Sequence, residues 1–281
     1  MKKFTLVLLL VATVIASGCA SRSVSLAPPP FRVTPANISR QSMARALWIP
    51  PPGTTWQWQL GTPPAVRPID DAQMYDIDMF DNDAANVEQL HDTGSKVICY
   101  IDAGTWERFR PDAKDFPKSV LGEPNGWPGE RYLDIRQIGI LGPIMRARVD
   151  LCARKGFDGV EFDNVDVYQA DTGFPLTAAD ELKYNRFLAS LAHGHSLSAA
   201  LKNDPDQVAQ LLPDFEFAIV EQCFQYSYCA KEVPFIQAGK AVFETEYKWT
   251  PNQFCEKAID VGFSSMQKHL SLDRWRRPCW H

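Results

Sequence analysis

Eight short apolar runs recur along the chain, at 56–60, 75–80, 96–102, 159–163, 196–203, 215–221, 241–246 and 262–267. Segments with helical spacing fall between them at 84–93, 139–155, 177–194, 204–212, 230–239 and 251–261. Short strands alternating with helices specify repeated βα units and a parallel sheet. Eight is the number that closes such a sheet into a (β/α)8 TIM barrel, and 281 residues suit one domain of that kind. Thr177, followed three residues later by Asp180, adds a helix start of the capping-box type.

The polar residues are placed as that fold requires of a site. Tyr75-Asp76-Ile77-Asp78, Tyr100-Ile101-Asp102, Glu161-Phe162-Asp163-Asn164, Lys202-Asn203, Glu221-Gln222 and Glu244-Thr245-Glu246-Tyr247 all stand at the C-terminal ends of their runs. In a barrel this is the rim on which active sites are assembled. The densest cluster is Gly159-Val160-Glu161-Phe162-Asp163-Asn164-Val165-Asp166. Side chains alternate along a strand, so Val160 and Phe162 take one face while Glu161 and Asp163 share the other. Asp and Asn at a strand end are often no more than turn or cap residues. Glu161 argues for more, because an acid inside an apolar strand costs free energy unless a partner or a function keeps it there.

The N-terminus reads as a leader, not as part of the domain. Met1-Lys2-Lys3 is basic, 4–15 is apolar, and Ala16-Ser17-Gly18-Cys19 is a small-residue cleavage region ending in Cys. Residues 1–18 therefore read as a lipoprotein signal peptide, with Cys19 lipidated and an alternative of plain secretion. Residues 19–45, rich in Ser, Ala and Pro, read as a flexible tether, and 46–281 as the folded domain. Export and lipid anchoring to the cell envelope follow as expectations, with the outer membrane favoured because Ala20 stands where Asp would signal inner-membrane retention. Removing Lys2 and Lys3, with no acid in the leader, takes the net charge from −5 to −7. Nucleic acid is a poor partner for such a chain, because its affinity rests on Lys and Arg neutralising phosphate; a cationic ligand suits it better. A monomer is expected.

Six cysteines remain after Cys19: Cys99, Cys152, Cys223, Cys229, Cys255 and Cys279. An even number in an exported chain reads as disulfides, with 15 pairings open. The short loop between Cys223 and Cys229 favours that pair, leaving Cys255 with Cys279 and Cys99 with Cys152 as the expected others. No Cys or His spacing resembles a zinc site, and no metal or cofactor is expected.

Carboxylates, amides, a Lys and many aromatics, without a Ser-His pair or a phosphate loop, suit glycoside hydrolysis, which uses two carboxyl groups flanking the scissile bond. Trp48, Trp56, Trp58, Tyr100, Trp106, Tyr168, Tyr226 and Tyr247 lie close to strand ends and offer flat faces for sugar rings, two or three of them in contact with ligand. Spacing alone does not say which acids pair.

Several segments, in this order, resemble glycoside hydrolase family 114: Trp56-Gln57-Trp58-Gln59-Leu60, Tyr75-Asp76-Ile77-Asp78-Met79-Phe80-Asp81, Tyr100-Ile101-Asp102-Ala103-Gly104, Arg110-Pro111-Asp112, Gly126-Trp127-Pro128-Gly129-Glu130-Arg131, Leu133-Asp134-Ile135-Arg136, the 159–166 stretch, Leu201-Lys202-Asn203-Asp204, Glu221-Gln222-Cys223-Phe224-Gln225-Tyr226 and Glu246-Tyr247. The resemblance spans roughly 47–267. It implies a (β/α)8 endo-α-1,4-polygalactosaminidase that retains anomeric configuration and acts on cationic or partly acetylated galactosamine-rich polysaccharide. It maps the nucleophile onto Asp163 and the acid/base onto Glu221, the latter with a raised pKa, while Asn164 or Lys202 keeps Asp163 ionised. Asp78, Tyr100, Asp102, Asn164, Asp166, Lys202, Asn203, Gln222, Tyr226, Glu246 and Tyr247 are the candidate substrate contacts; Glu161 is expected to orient its neighbours. An acidic rim of Asp76, Asp78, Asp81, Asp102, Asp166 and Glu246 is expected to attract a polycation, with turnover falling as salt rises. Two other readings stay open: a non-catalytic glycan-binding surface lipoprotein on the same barrel, and a hydrolase using these acids to hold Mg²⁺ or Ca²⁺.

Overall fold

The computed structural model describes residues 46–61 and 66–280. The leader, Cys19 and the tether lie outside the described residues. Among those described, no helix is long and apolar enough to cross a membrane.

Eight parallel strands form the barrel: β1 (Trp56–Gln59), β2 (Met74–Asp78), β3 (Lys96–Asp102), β4 (Gly159–Asp163), β5 (Ser198–Lys202), β6 (Phe217–Glu221), β7 (Val242–Glu246) and β8 (Ser264–Lys268). They pair in sequence order, and a short antiparallel strand, Arg276–Pro278, continues the sheet beyond β8. Side chains bridge the seam between β1 and β8: the Trp56 indole donates to Ser264 O at 2.8 Å, and Lys268 donates to Gln57 Oε1 at 3.1 Å. The helices are α1 (Ala84–His91), α2 (Ile138–Lys155), α3 (Ala178–Gly194), α4 (Val208–Leu211), α5 (Val233–Gln237) and α6 (Pro251–Asp260), one after each of β2 to β7. This is the (β/α)8 barrel expected, with no helix after β1 or β8 among the described residues. The Thr177–Asp180 capping box opens α3 as expected.

Differences from the expected boundaries have local causes. β2 stops at Asp78, not Phe80, because the Asp78 carboxylate accepts the Phe80 and Asp81 amides at 2.7 and 3.0 Å and turns the chain there. The helix expected at 204–212 is one turn, since Asp204 is left-handed (φ 52°) and cannot start it.

Strand alternation splits the core in two. Trp56, Trp58, Ile98, Phe217, Phe243 and Met266 fill the barrel interior. Val97, Ile101, Val160, Phe162, Val220 and their neighbours pack outward under the helices. The three disulfides are Cys99–Cys152, which staples α2 to β3, Cys223–Cys229 in the loop after β6, and Cys255–Cys279, which ties α6 to the C-terminal segment. All three expected pairs are present. One element was not foreseen: between β3 and α2, Thr105–Glu107, Leu121–Pro124 and Glu130–Leu133 form a small antiparallel sheet. It is anchored from α2 by buried Arg148, which donates to both Asp112 oxygens and, at 2.6 Å, to Asp102 O.

Candidate active site

Three neighbouring strands end alike, in a charged residue followed by an amide residue with left-handed backbone: Asp163 then Asn164 (φ 59°), Lys202 then Asn203 (φ 51°), Glu221 then Gln222 (φ 54°). Asn enters that region more readily than most residues; Gln has no such advantage. Each turn takes the chain out of the strand at once and leaves the charged side chain at the inner rim. Backbone bonds hold two of them, from Asn203 N to Ile219 O at 2.9 Å and from Gln222 N to Thr245 O at 2.7 Å. Gly104 permits the third: a Cβ there would lie 1.5 Å from Asn164 O.

The three charges meet. Lys202 Nζ stands 2.7 Å from Asp163 Oδ1 and 2.8 Å from Glu221 Oε2. Those two legs hold the two carboxylate oxygens no more than about 5.5 Å apart, close to the roughly 5–5.5 Å spacing of paired carboxyls in retaining glycosidases and short of the roughly 6.5–9.5 Å that admits an inverting water. Asp163 also accepts the Tyr100 hydroxyl (2.7 Å) and the Asn164 amide (2.8 Å). Burial pushes its carboxyl upward, but Lys202, Tyr100 and Asn164 together outweigh burial and hold it below the usual carboxylate range. Burial likewise disfavours the charged Lys202, and Asp163 and Glu221 reverse that, keeping it protonated. Glu221 accepts from the Tyr247 hydroxyl, and its amide donates to Asn203 Oδ1 at 3.0 Å. The Trp58 ring lies 5.2 Å below Lys202 Nζ, a cation–π contact that closes the floor.

Beneath this layer lies a second acid pair, Asp76 and Glu161, both fully buried. Among the described residues no N–H or hydroxyl group donates to either carboxyl, and the two acids are close enough to influence each other's protonation. Burial raises Asp76 to about 8 against the pull of Glu161 and Lys202, and raises Glu161 well above its ordinary value. Glu161 Oε1 is 3.8 Å from Lys202 Nζ, so it supports the lysine from below without facing solvent.

A cleft of about 730 Å³ opens over the layer of Asp163, Lys202 and Glu221. Of the expected contacts, Asp78, Tyr100, Asn164, Asp166, Lys202, Asn203 and Tyr247 line it, whereas Gln222 and Tyr226 line an adjoining groove. Asp102 and Glu246 do not reach either. Asp102 faces inward but is buried, accepting from Thr105 N and Oγ1 and from Asn164 Nδ2. Glu246 is on the wrong face: Phe243 points into the barrel, so Glu244 and Glu246 point out, and Glu246 Oε1 accepts the Phe224 and Gln225 amides at 3.0 Å each. The acidic rim is thus revised. Asp76, Asp102 and Glu246 are sealed from solvent and Asp78 is paired with Arg110 at 2.6 Å, leaving Asp81, Asp166 and Glu130 on the cleft. Of the eight aromatics, Trp58, Tyr100 and Tyr247 line the main cleft.

Glu107, Phe109, Arg110, Trp127 and Glu130 were not among the expected site residues, although Arg110, Trp127 and Glu130 lie in the segments that carry the resemblance; the antiparallel insert brings all five over the cleft. Arg110 pairs with Glu107 at 2.5 Å as well as with Asp78; Phe109 and Trp127 expose 63% and 53% of their surface there, an unusual display for such rings. The signal was present: an aromatic beside Pro and Gly in 126–129 serves no core. Among the described residues, no group of three or more His, Cys, Asp or Glu is arranged to hold a metal ion.

The sequence profile of glycoside-hydrolase family GH114 matches residues 37–281. The chain belongs to this family and is a glycoside hydrolase. The crystal structure of Aspergillus fumigatus Ega3 in complex with galactosamine is similar at 38% identity and TM-score 0.79, covering 83% of this chain and 98% of Ega3. The glycoside hydrolase domain of PelA from Pseudomonas aeruginosa shares the fold, with TM-score 0.63 at 12% identity over 79% of this chain and 97% of that domain. A Deinococcus radiodurans protein described as uncharacterized is 26% identical over 232 residues, 70% of this chain and 73% of its own length.

Proposed function

We propose that this family 114 hydrolase is a retaining, endo-acting enzyme that cleaves α-1,4 linkages in galactosamine-containing polysaccharide, with Asp163 as nucleophile and Glu221 as acid/base. The observation that carries the assignment is the single ammonium of Lys202 in contact with both carboxylates. In the first step an Asp163 oxygen bonds to the anomeric carbon as the glycosidic C–O bond breaks, and Glu221, which enters this step as the carboxylic acid, gives its proton to the departing oxygen and is left as the carboxylate. In the second step Glu221 removes a proton from water, the water oxygen bonds to the anomeric carbon, and the Asp163 ester bond breaks. Tyr100 and Asn164 fix the attacking carboxylate, and Lys202 balances the charge of the layer throughout. The galactosamine bound in the Ega3 structure supports the substrate class, as does the acidic wall of Asp81, Asp166 and Glu130 for an amino sugar.

The test is product analysis of the purified protein on partly deacetylated galactosamine polymer, with the anomer of the first product followed by NMR. Internal cleavage with retained configuration is expected, and Asp163→Asn and Glu221→Gln abolish it. An inverted first product overturns the nucleophile assignment, and binding without cleavage by the unaltered protein makes the barrel a glycan-binding module. The same reading includes export and lipidation at Cys19, to be checked by incorporation of labelled fatty acid that Cys19→Ser loses.

A further inference from the structure

The cleft does not end at the catalytic layer. A second arm of about 460 Å³ adjoins it and shares Asn164, Asp166, Asn203 and Glu221 with the main cleft. The two arms differ in one respect that has chemical meaning. The main arm touches both Asp163 and Glu221, whereas the second touches Glu221 but not Asp163. A nucleophile must lie against the anomeric carbon of the sugar that stays on the enzyme, and the proton donor must reach the oxygen that leaves. An arm bordered by the donor alone is therefore on the leaving-group side.

Its wall is built to hold shape. Tyr226 exposes 61% of its surface into solvent beside Gln222, on a loop closed by the Cys223–Cys229 disulfide. Buried Glu246 takes the amides of Phe224 and Gln225 from the outer side, and Tyr226 N donates to Gln222 O at 2.9 Å. Tyr132 and Gln169 line the same arm. At the junction of the arms stands Asp166. Asp78 and Glu107 are paired with Arg110, and Asp163 and Glu221 with Lys202. Among the described residues the Asp166 carboxylate has no such ion pair and accepts no hydrogen bond from another side chain, so it is free to take a cation from a ligand.

We infer that the second arm binds the leaving-group side of a galactosamine polymer, Tyr226 stacking on a sugar ring and Asp166 receiving the ammonium of an unacetylated residue next to the scissile bond. This rests on the proposed function and adds the direction in which the chain lies and the residues that read it. A polymer then crosses the rim from the Phe109–Trp127 end to the Tyr226 end, which is the geometry that internal cleavage needs.

The experiment uses galactosamine oligomers of defined length labelled at the reducing end, and reads which bond is cut. Wild type is expected to leave labelled fragments long enough to fill the arm. Tyr226→Ala spreads cleavage toward shorter labelled fragments and raises KM about 3- to 10-fold, the size of one lost stacking contact, while Tyr226→Phe keeps the wild-type pattern. Asp166→Asn lowers the preference for unacetylated over fully N-acetylated oligomers about 10-fold or more, as loss of a hydrogen bond between charged groups does. A cleavage pattern and an acetylation preference unchanged in folded Tyr226→Ala and Asp166→Asn overturn the inference while the proposed function stands. No cleavage of any oligomer by wild type removes both.

Discussion

Glu161 and Asp163 sit two residues apart on one strand and face the same way, yet they are in opposite states. Among the described residues Glu161 receives no hydrogen bond from an N–H or hydroxyl donor, and burial drives it toward the protonated form. Asp163, about 7 Å further along the strand, receives Lys202, Tyr100 and the Asn164 amide, and they hold it ionised. The same chemical group becomes a neutral spacer on the floor and an anion at the rim. Burial sets the direction of the shift, and donors reverse it only where the strand ends and neighbouring chains can supply them.

The contrast can be broken most directly by isosteric amides. Asp163→Asn and Glu221→Gln should each lower kcat on an amino-sugar polymer by roughly 10²–10⁴ or more, whereas Glu161→Gln, which keeps a neutral group neutral, should cost less than about 10-fold. Equal losses at Glu161 and Asp163, with folding intact by circular dichroism, would mean that the floor takes part in the reaction.

Lys202→Met removes the cation that divides the layers. Asp163, held below its usual range, supports the fold above an unfolded-state pKa of about 3.9, and that support fades only as pH falls through its lower folded value. Without Lys202 this support is lost at neutral pH, and stability should fall by roughly 3–5 kcal/mol in denaturant titration, as it does when one partner of a buried pair is removed. The acidic limb of the kcat/KM profile should move to higher pH. A limb that stays in place would show that Lys202 does not set the ionisation of Asp163.

The smallest effect belongs to the floor. Asp76 keeps a proton up to about pH 8, whereas the unfolded chain releases it near pH 4, so its contribution to stability declines as pH rises between those values. Asp76→Asn is uncharged in both states. It should raise the unfolding midpoint by at least about 2 °C near pH 8 and by less near pH 4.5. A gain that is the same at both pH values would place the buried proton elsewhere.

Much of the fold could be read from local pattern. The eight runs, the alternation that puts Val160 and Phe162 against helices and Glu161 and Asp163 inside, and the capping box at Thr177 all depend on residues near one another in the chain. The same alternation, counted from Phe243, already places Glu246 outside; attention to the strand end alone hid this. The insert at 105–133 was not legible, because its strands are three or four residues long and its role depends on Arg148, 15 positions beyond the end of its last strand, which donates to Asp102 O.

By itself the sequence determined an eight-stranded barrel with acids gathered at one end, since periodicity and strand-end chemistry are local properties that no distant contact is needed to express. Only tertiary structure decided which of those acids work together. Whether two carboxylates 58 positions apart share one ammonium depends on ring closure and on the register of β4, β5 and β6, and those are set by how every strand packs against its neighbours.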